Sequence, residues 1–341
     1  MNPIRVALWG YGAMGQGVAR LVAERPGMEL VAVVVRDKRR VPQPVPGDPL
    51  LTTDPEEMFA RRPDVVLLST TSFVRDVETI ILRIVSHGVH VITIAEEMSA
   101  PAAADPAAAK RLHEAAAAHG VGVLGTGVNP GFVMDLLVVA LTGVCHRVEH
   151  IEVQRINDLS PYGPTVLRTQ GVGTTPEEFA AGLKSGAIVG HVGFRQSMHL
   201  IASALGWELE RVQEEREPIV TRVRRQTPYI VVEPGQVAGC RHTATGWRHG
   251  REVVRLVHPQ QIRPEAENVE TQDFIHIQGV PEIRLQIRPE IAGGLATEAL
   301  AVNMIPLLMA AKPGLHHMTD LPVPRAVLGD AGEILRSLRP A

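Results

Sequence analysis

Apolar spacing changes sharply twice within the first 35 residues. Ile4 to Trp9 form a short apolar run that ends in GYGAMGQG. Apolar positions then recur at Val18, Leu21 and Val22, a helical spacing that stops at the breaker pair Pro26-Gly27. Leu30 to Val35 form a second run, rich in β-branched residues and followed by RDKRR. Strand, turn, helix and strand in about 35 residues make one βαβ unit.

The same texture continues. Val41 to Asp54 is Pro-rich and predicts a loop; Asp54 then predicts a helix N-cap, with Glu57 closing a capping box. Asp64 to Ser69, Val89 to Ile94 and Val121 to Leu124 read as buried strands, while Val74 to His87 and Ala102 to His119 read as helices. Strands alternating with helices predict an α/β, doubly wound parallel sheet over residues 1–131. After Asp135 longer alternating segments appear: Val148 to Ile156, Ile219 to Glu233, Gln236 to Trp247, Glu252 to Val257 and Asp273 to Gln278. With helices over Phe132 to Leu141, Pro176 to Ser185 and His191 to Leu205, they predict a second, α+β domain over 132–294 on a mostly antiparallel sheet. Leu295 to Ala311 reads as one strongly apolar helix, and PGLHHMTDLPVPR after it as loop.

A chain of 341 residues suits two domains. Lys+Arg is 34 against Asp+Glu 37, a net charge of −3, which gives no electrostatic reason to expect nucleic acid or a membrane as partner. Cys145 and Cys240 form no C-x-x-C pair, and no HExxH or carboxylate cage is visible, so no metal is expected. No segment approaches the ~18 uninterrupted apolar residues of a membrane span. The N-terminal apolar run is too short for a signal peptide, so a cytoplasmic protein is expected. Lysine occurs only at 38, 110, 184 and 312, which leaves little scope for Schiff-base chemistry.

The loop Gly10-Tyr11-Gly12-Ala13-Met14-Gly15 follows a strand and opens a helix. Gly10 permits the turn, Gly12 leaves room for a pyrophosphate, and Gly15 lets helix and strand approach. This makes the N-terminal domain a Rossmann, dinucleotide-binding one. Where NAD-binding chains carry an acidic residue this chain has Arg36, which favours NADP, although Asp37 is still able to reach a ribose hydroxyl.

In open α/β sheets the reaction crevice lies beyond the carboxyl ends of the strands. Ser69, Thr70, Thr71 and Ser72 follow the third strand as candidate nicotinamide-ribose contacts, and Gly125 to Gly131 follow the fifth. Asn129 is a candidate for cofactor and substrate, and Pro130, Asn157 and His191 for substrate. Glu96 and Glu97 follow the fourth strand; one of them is expected to point inward as a general base, as neighbours on an extended segment face opposite ways. The competing structural reading makes both of them helix N-terminal charges. His258 and His276, on strands, are weaker candidates.

The segments VALWGYGAMGQGVARL, VITIAEEMSAP, GTGVNPGFVMD, GHVGFRQSM and GLATEALAVNMIP…PGLHHMTDLP resemble the 2,4-diaminopentanoate dehydrogenases and the similar native amine dehydrogenases, grouped as dihydrodipicolinate-reductase-like. The resemblance runs over nearly the whole chain. It implies reversible oxidative deamination of an amine to a ketone or aldehyde plus ammonia, with NADP or NAD, and a catalytic glutamate at Glu96 or Glu97. It also implies a homodimer and a C-terminal segment, 295–341, that returns to the Rossmann domain. Dihydrodipicolinate reductases proper carry a His-His pair, a Lys and a Ser-Gly-Thr turn where this chain has EVQRINDLSPYGPT, which counts against that reaction. The alternatives are an ammonia-independent imine or carbonyl reductase and a Rossmann cofactor sensor. A carboxylate-bearing substrate needs a cation, for which Arg155, Arg168 and Arg195 are candidates.

Overall fold

Strand β1 (Ile4–Trp9) enters the glycine loop, and α1 (Ala13–Glu24) returns the chain to β2 (Met28–Val34). This computed structural model describes residues 2–42 and 44–338. The chain divides into two units, Met1–Phe132 with Ala292–Ala341, and Val133–Ile291. Phe132 and residues 292–294 therefore fall with the first unit.

The Pro-rich stretch expected as loop contains a strand, β3 (Leu50–Thr52), because its backbone finds a parallel partner in Ala32–Val34. Asp54 caps α2 (Pro55–Ala60) through the Glu56 amide. The expected capping box does not form: Thr52 Oγ1 takes the Asp54 amide at 2.9 Å and donates to the Glu57 carboxylate. β4 (Val65–Leu68), α3 (Val74–Ser86) and β5 (His90–Thr93) follow the predicted order. Helix α4 (Pro106–Ala118) starts later than Ala102, because Asp105 caps it through the Ala107 and Ala108 amides at 3.0 Å and Pro101–Ala103 forms a separate 3-10 turn. β6 (Gly122–Gly125) completes this segment.

In the second unit α5 (Leu136–Thr142) begins after Asp135, which caps it, rather than at Phe132. Then come β7 (Arg147–Asp158), α6 (Pro164–Thr169), α7 (Pro176–Ser185), α8 (Phe194–Ala204) and β8 (Arg211–Val220). The remaining strands are β9 (Arg225–Gln226), β10 (Val231–Val232), β11 (Val237–Arg248), β12 (Arg251–Gln261), β13 (Gln272–Val280) and β14 (Ile283–Ile287). Six of them form one sheet, ordered β14-β13-β7-β12-β11-β8. Its pairs are antiparallel except β7 with β12, which is parallel, so the sheet is mixed. Ile219 to Glu233 is not the predicted strand. Ile219 and Val220 end β8; the rest folds around buried Arg225, whose guanidinium is held by Gln261, the Ile262 carbonyl and Glu267, and forms the small β9–β10 hairpin.

The chain then returns to the first unit. The expected single helix is two, α9 (Gly293–Asn303) and α10 (Ile305–Ala310), interrupted at Met304. Pro306 has no N–H to give to the preceding turn. By length and composition the stretch Gly293–Ala310 is apolar enough to cross a membrane, with a mean hydropathy of 1.4 over 18 residues. It is nevertheless interrupted, carries Glu298, and is 50% buried within the fold. β15 (Gly314–His316) lies in the stretch expected as loop and adds a parallel edge strand on Gly122–Leu124; α11 (Ala331–Leu338) closes the described chain. The first unit thus holds a seven-stranded parallel sheet, β15-β6-β5-β4-β1-β2-β3, as the α/β pattern predicts. On one side of it, Val77, Ile81, Ile84 and Leu112 from α3 and α4 pack with Val66 and Val91 into a closed core.

Candidate active site

Parallel register brings the carboxyl ends of β1, β2, β4, β5 and β6 to one edge of the first sheet. The glycine loop follows β1, Arg36 follows β2, Ser69–Ser72 follow β4, Glu96 and Glu97 follow β5, and Thr126–Gly131 follow β6. Gly10 has φ 102°, and a methyl there would lie 2.3 Å from the Ser69 carbonyl oxygen. A methyl on Gly15 would lie 2.4 Å from the Gly10 carbonyl oxygen. Ser69 spends its hydroxyl bracing this loop, donating to the Gly10 carbonyl at 3.0 Å. Gly12 differs: a methyl there meets nothing within 4 Å, and no side chain caps α1. The head of α1 therefore offers unsatisfied amides beside open space, the arrangement that accepts a pyrophosphate. Tyr11 and Met14 are half-buried and Ala13 is exposed around it. These residues fit a dinucleotide.

Arg36 is exposed. Asp37 is engaged: its carboxylate accepts from the Arg39 amide at 3.0 Å and Arg39 Nε at 2.9 Å, and Arg40 Nε lies 3.8 Å away. The Arg39 bonds hold this carboxyl below its usual range.

The two glutamates lie on a 3-10 turn, Glu96–Ser99, not on an extended segment, so the pleat does not set their directions. Glu97 Oε2 accepts from the Val74 amide at 2.8 Å, at the head of α3. The Glu96 carboxyl stays buried beside the Ser72 hydroxyl, which hydrogen-bonds it. Burial pushes Glu96 above the usual carboxylate range; the Ser72 bond opposes this and the Glu97 charge adds to it. The helix-charge reading thus fits Glu97, on α3, and does not fit Glu96.

Of the neighbouring hydroxyls, Thr71 Oγ1 donates to Asp76 at 3.1 Å and Thr70 is exposed. In the β6 loop both amide atoms of Asn129 are buried without a hydrogen-bond partner, next to buried Pro130. Such orphaned atoms are costly unless a ligand completes them. Thr297 of α9 anchors this loop through the Val128 amide at 3.1 Å, a contact no local pattern announces.

In the second unit Arg155 and Asn157 of β7 share a sheet face with His258 and Gln260 of β12 and His242 of β11. His191 is not at a helix start; it sits in the loop three residues before α8 and packs edge-on against His258, centroids 5.0 Å apart. Its amide donates to His242 Nδ1 at 3.1 Å. Asn157 Oδ1 and His191 Nε2 are both buried without partners. Sequence reading missed His242 and underweighted His258. Their signal was present as polar residues in the apolar phase of alternating strands. His276 sits apart, on Glu282 at 2.7 Å. Of the three arginine candidates only Arg155 is buried; Arg168 and Arg195 are exposed. Among the described residues no three His, Cys, Asp or Glu side chains are placed to hold a metal ion.

Burial holds His191 and His242 below the ordinary imidazole range and takes His258 down to about 3. In the unfolded chain they titrate near 6.5. The unfolded state therefore takes up protons first, and stability must fall as pH drops through 6.5 toward the folded value. The urea midpoint followed by Trp207 and Trp247, both in this unit, should fall between pH 7.5 and 5; a flat profile would contradict neutral buried imidazoles.

Two family models match the chain: the 2,4-diaminopentanoate dehydrogenase C-terminal domain over residues 132–337, and the NAD-binding domain of homoserine dehydrogenase over 10–125. The 2,4-diaminopentanoate dehydrogenase of Acetoanaerobium sticklandii is 43% identical over 98% of this chain and 98% of its own. An amine dehydrogenase of Streptomyces virginiae is 27% identical, covering 96% and 99%. The solved amine dehydrogenase of Mycobacterium smegmatis superposes with a TM-score of 0.83 over 94% of this chain and 97% of that one; at 21% identity this supports the fold alone. These matches bear out the resemblance carried by the five sequence segments.

Proposed function

We propose, because the chain belongs to the 2,4-diaminopentanoate dehydrogenase family, that this NAD(P)-dependent oxidoreductase of amine donors deaminates a 2,4-diaminopentanoate-like amine, with Glu96 as general base. The observation that carries the reading is the Glu96 carboxyl, raised by burial and hydrogen-bonded by Ser72, at the carboxyl edge of a sheet whose glycine loop fits a dinucleotide. An ammonium cannot release hydride from its carbon until it loses a proton. A carboxylate of raised pKa is the stronger base for that step. Glu96 takes the proton, and Ser72 keeps the accepting oxygen oriented. The nicotinamide, when bound, supplies the acceptor for the hydride. Glu96 passes that proton to solvent, takes one from a water as its oxygen bonds to the iminium carbon, returns it to the nitrogen, and takes the hydroxyl proton as the C–N bond breaks, so that the carbonyl forms and ammonia leaves.

The α1 amides would hold the pyrophosphate, and Asn129 offers its amide atoms to the nicotinamide end or the substrate. Asp37, occupied by Arg39, is a poor partner for a ribose hydroxyl, and exposed Arg36 suits a 2′-phosphate; both support NADP over NAD. Within the second unit, Asn157 Oδ1 and His191 Nε2, buried without partners, are the polar groups offered to substrate, whereas Arg155 is spent on Asp273 and the Ile291 carbonyl. The resemblance supports a homodimer, and the near balance of charge supports small molecules, rather than nucleic acid or a membrane, as partners.

The test is reduced-cofactor absorbance with ammonium and 2-amino-4-oxopentanoate. Ammonium-dependent oxidation is expected, faster with NADPH than with NADH. Cofactor oxidation that ignores ammonium would instead support imine or carbonyl reduction, and none with any ketone or aldehyde would sink the reading.

A further inference from the structure

Glu97 is half-buried, yet its carboxylate does not share the environment of its neighbour. Oε2 accepts from the Val74 amide at 2.8 Å, where the N-cap residue of α3, Phe73, has no side chain able to do so. The Glu97 amide donates to the Ser72 carbonyl at 3.0 Å, and the Ser72 hydroxyl bonds the Glu96 carboxyl. Inside the turn, Met98 donates to the Ala95 carbonyl at 2.9 Å and Ser99 Oγ to the Glu96 carbonyl at 2.9 Å. The turn that carries Glu96 and the loop that carries Ser72 are thus tied in both directions, 23 residues apart in sequence at the Glu97–Val74 bond. The ionisable groups around this tie are Glu96 itself and, on α3, Arg75 and Asp76, paired at 3.7 Å. Thr71 occupies Asp76 from the other side at 3.1 Å.

We propose that Glu97 is a positioning residue: by docking on the head of α3 it fixes the turn against the Ser72 loop and so fixes the aim of the Glu96 carboxyl. The proposal rests on the reading of Glu96 as the base. It predicts a division of labour between adjacent carboxylates that sequence alone leaves interchangeable.

Two substitutions separate the oxygen from its charge. Glu97→Ala removes the acceptor for Val74 and should lower kcat by about tenfold or more, since small misplacements of a reacting group are costly. Glu97→Gln keeps an oxygen for Val74 and should restore kcat to within about threefold of the parent. It also removes a negative neighbour, so the acid limb of kcat/KM should move to lower pH. A purely scaffolding residue would restore kcat without moving that limb. Hydrogen exchange gives a readout that needs no turnover: the Val74 amide should exchange faster in Glu97→Ala and near the parent rate in Glu97→Gln. That exchange pattern with no amine turnover by the parent would fail the amine reading while the tie stands. The proposal is overturned if Glu97→Gln is as inactive as Glu96→Gln, if Glu97→Ala keeps parental kcat and pH profile, or if Val74 exchange is unchanged in Glu97→Ala.

Discussion

Glu96→Gln is expected to cut kcat for amine oxidation by about a thousandfold, in the middle of the range that a positioned general base contributes. The amide keeps the shape and a hydrogen bond for Ser72 but cannot take a proton. The pH profile gives the sign. The carboxyl is raised by burial, so the active, deprotonated base forms only above the usual carboxylate range, and parental kcat/KM for deamination should decline as pH falls through that raised value. The variant should lose that limb along with the rate. Its stability should move the other way: removing a carboxyl whose ionised form is disfavoured by burial should leave the melting temperature unchanged or higher. A variant that keeps more than about a tenth of parental kcat would remove Glu96 from the chemistry.

The second large effect concerns Arg155 and Asp273, paired at 2.5 Å with side chains only 3% and 2% exposed. Arg155 also donates to the Ile291 carbonyl at 2.5 Å, and the Ile291 amide donates to Asp273 at 2.8 Å. Arg155→Met strands a buried carboxylate and should cost about 3–5 kcal/mol in urea unfolding. Adding Asp273→Leu removes the stranded charge and should recover most of the loss, because desolvation of such a pair roughly cancels its attraction. An unfolding midpoint unmoved by Arg155→Met would mean that the pair is wetter than its burial indicates.

What could be read in the chain followed from how local the cause was. The glycine loop, β1, α1 and β2 were legible because turn chemistry and apolar spacing act within about 35 residues. The acidic pair was legible as chemistry, but its division was not, because Ser72 and Val74, before and at the head of α3, lie more than twenty residues earlier. β15 was missed since three residues, Gly314–His316, carry no periodicity; their state is set by Gly122–Leu124. β8 was missed for a different reason: RVQEEREPIV is an edge strand, largely exposed, and so lacks the buried phase that marks a strand. Arg225 reversed the expectation for Ile219 to Glu233, because a buried guanidinium seeking carbonyls outweighs the β propensity around it.

The sheet that carries the glycine loop is assembled from two stretches of chain separated by the whole second unit. During synthesis, β1 to β6 leave the ribosome without β15 on their edge and without Thr297, which anchors the loop after β6. At about 5–20 residues per second, the missing stretch arrives some ~10–40 s later. Through that interval the nascent chain holds an open sheet edge and an unanchored Asn129 loop. The unit that carries the glycine loop is therefore complete only once residues 292–338 have been made, and a fragment ending near Phe132 lacks both β15 and the Thr297 anchor.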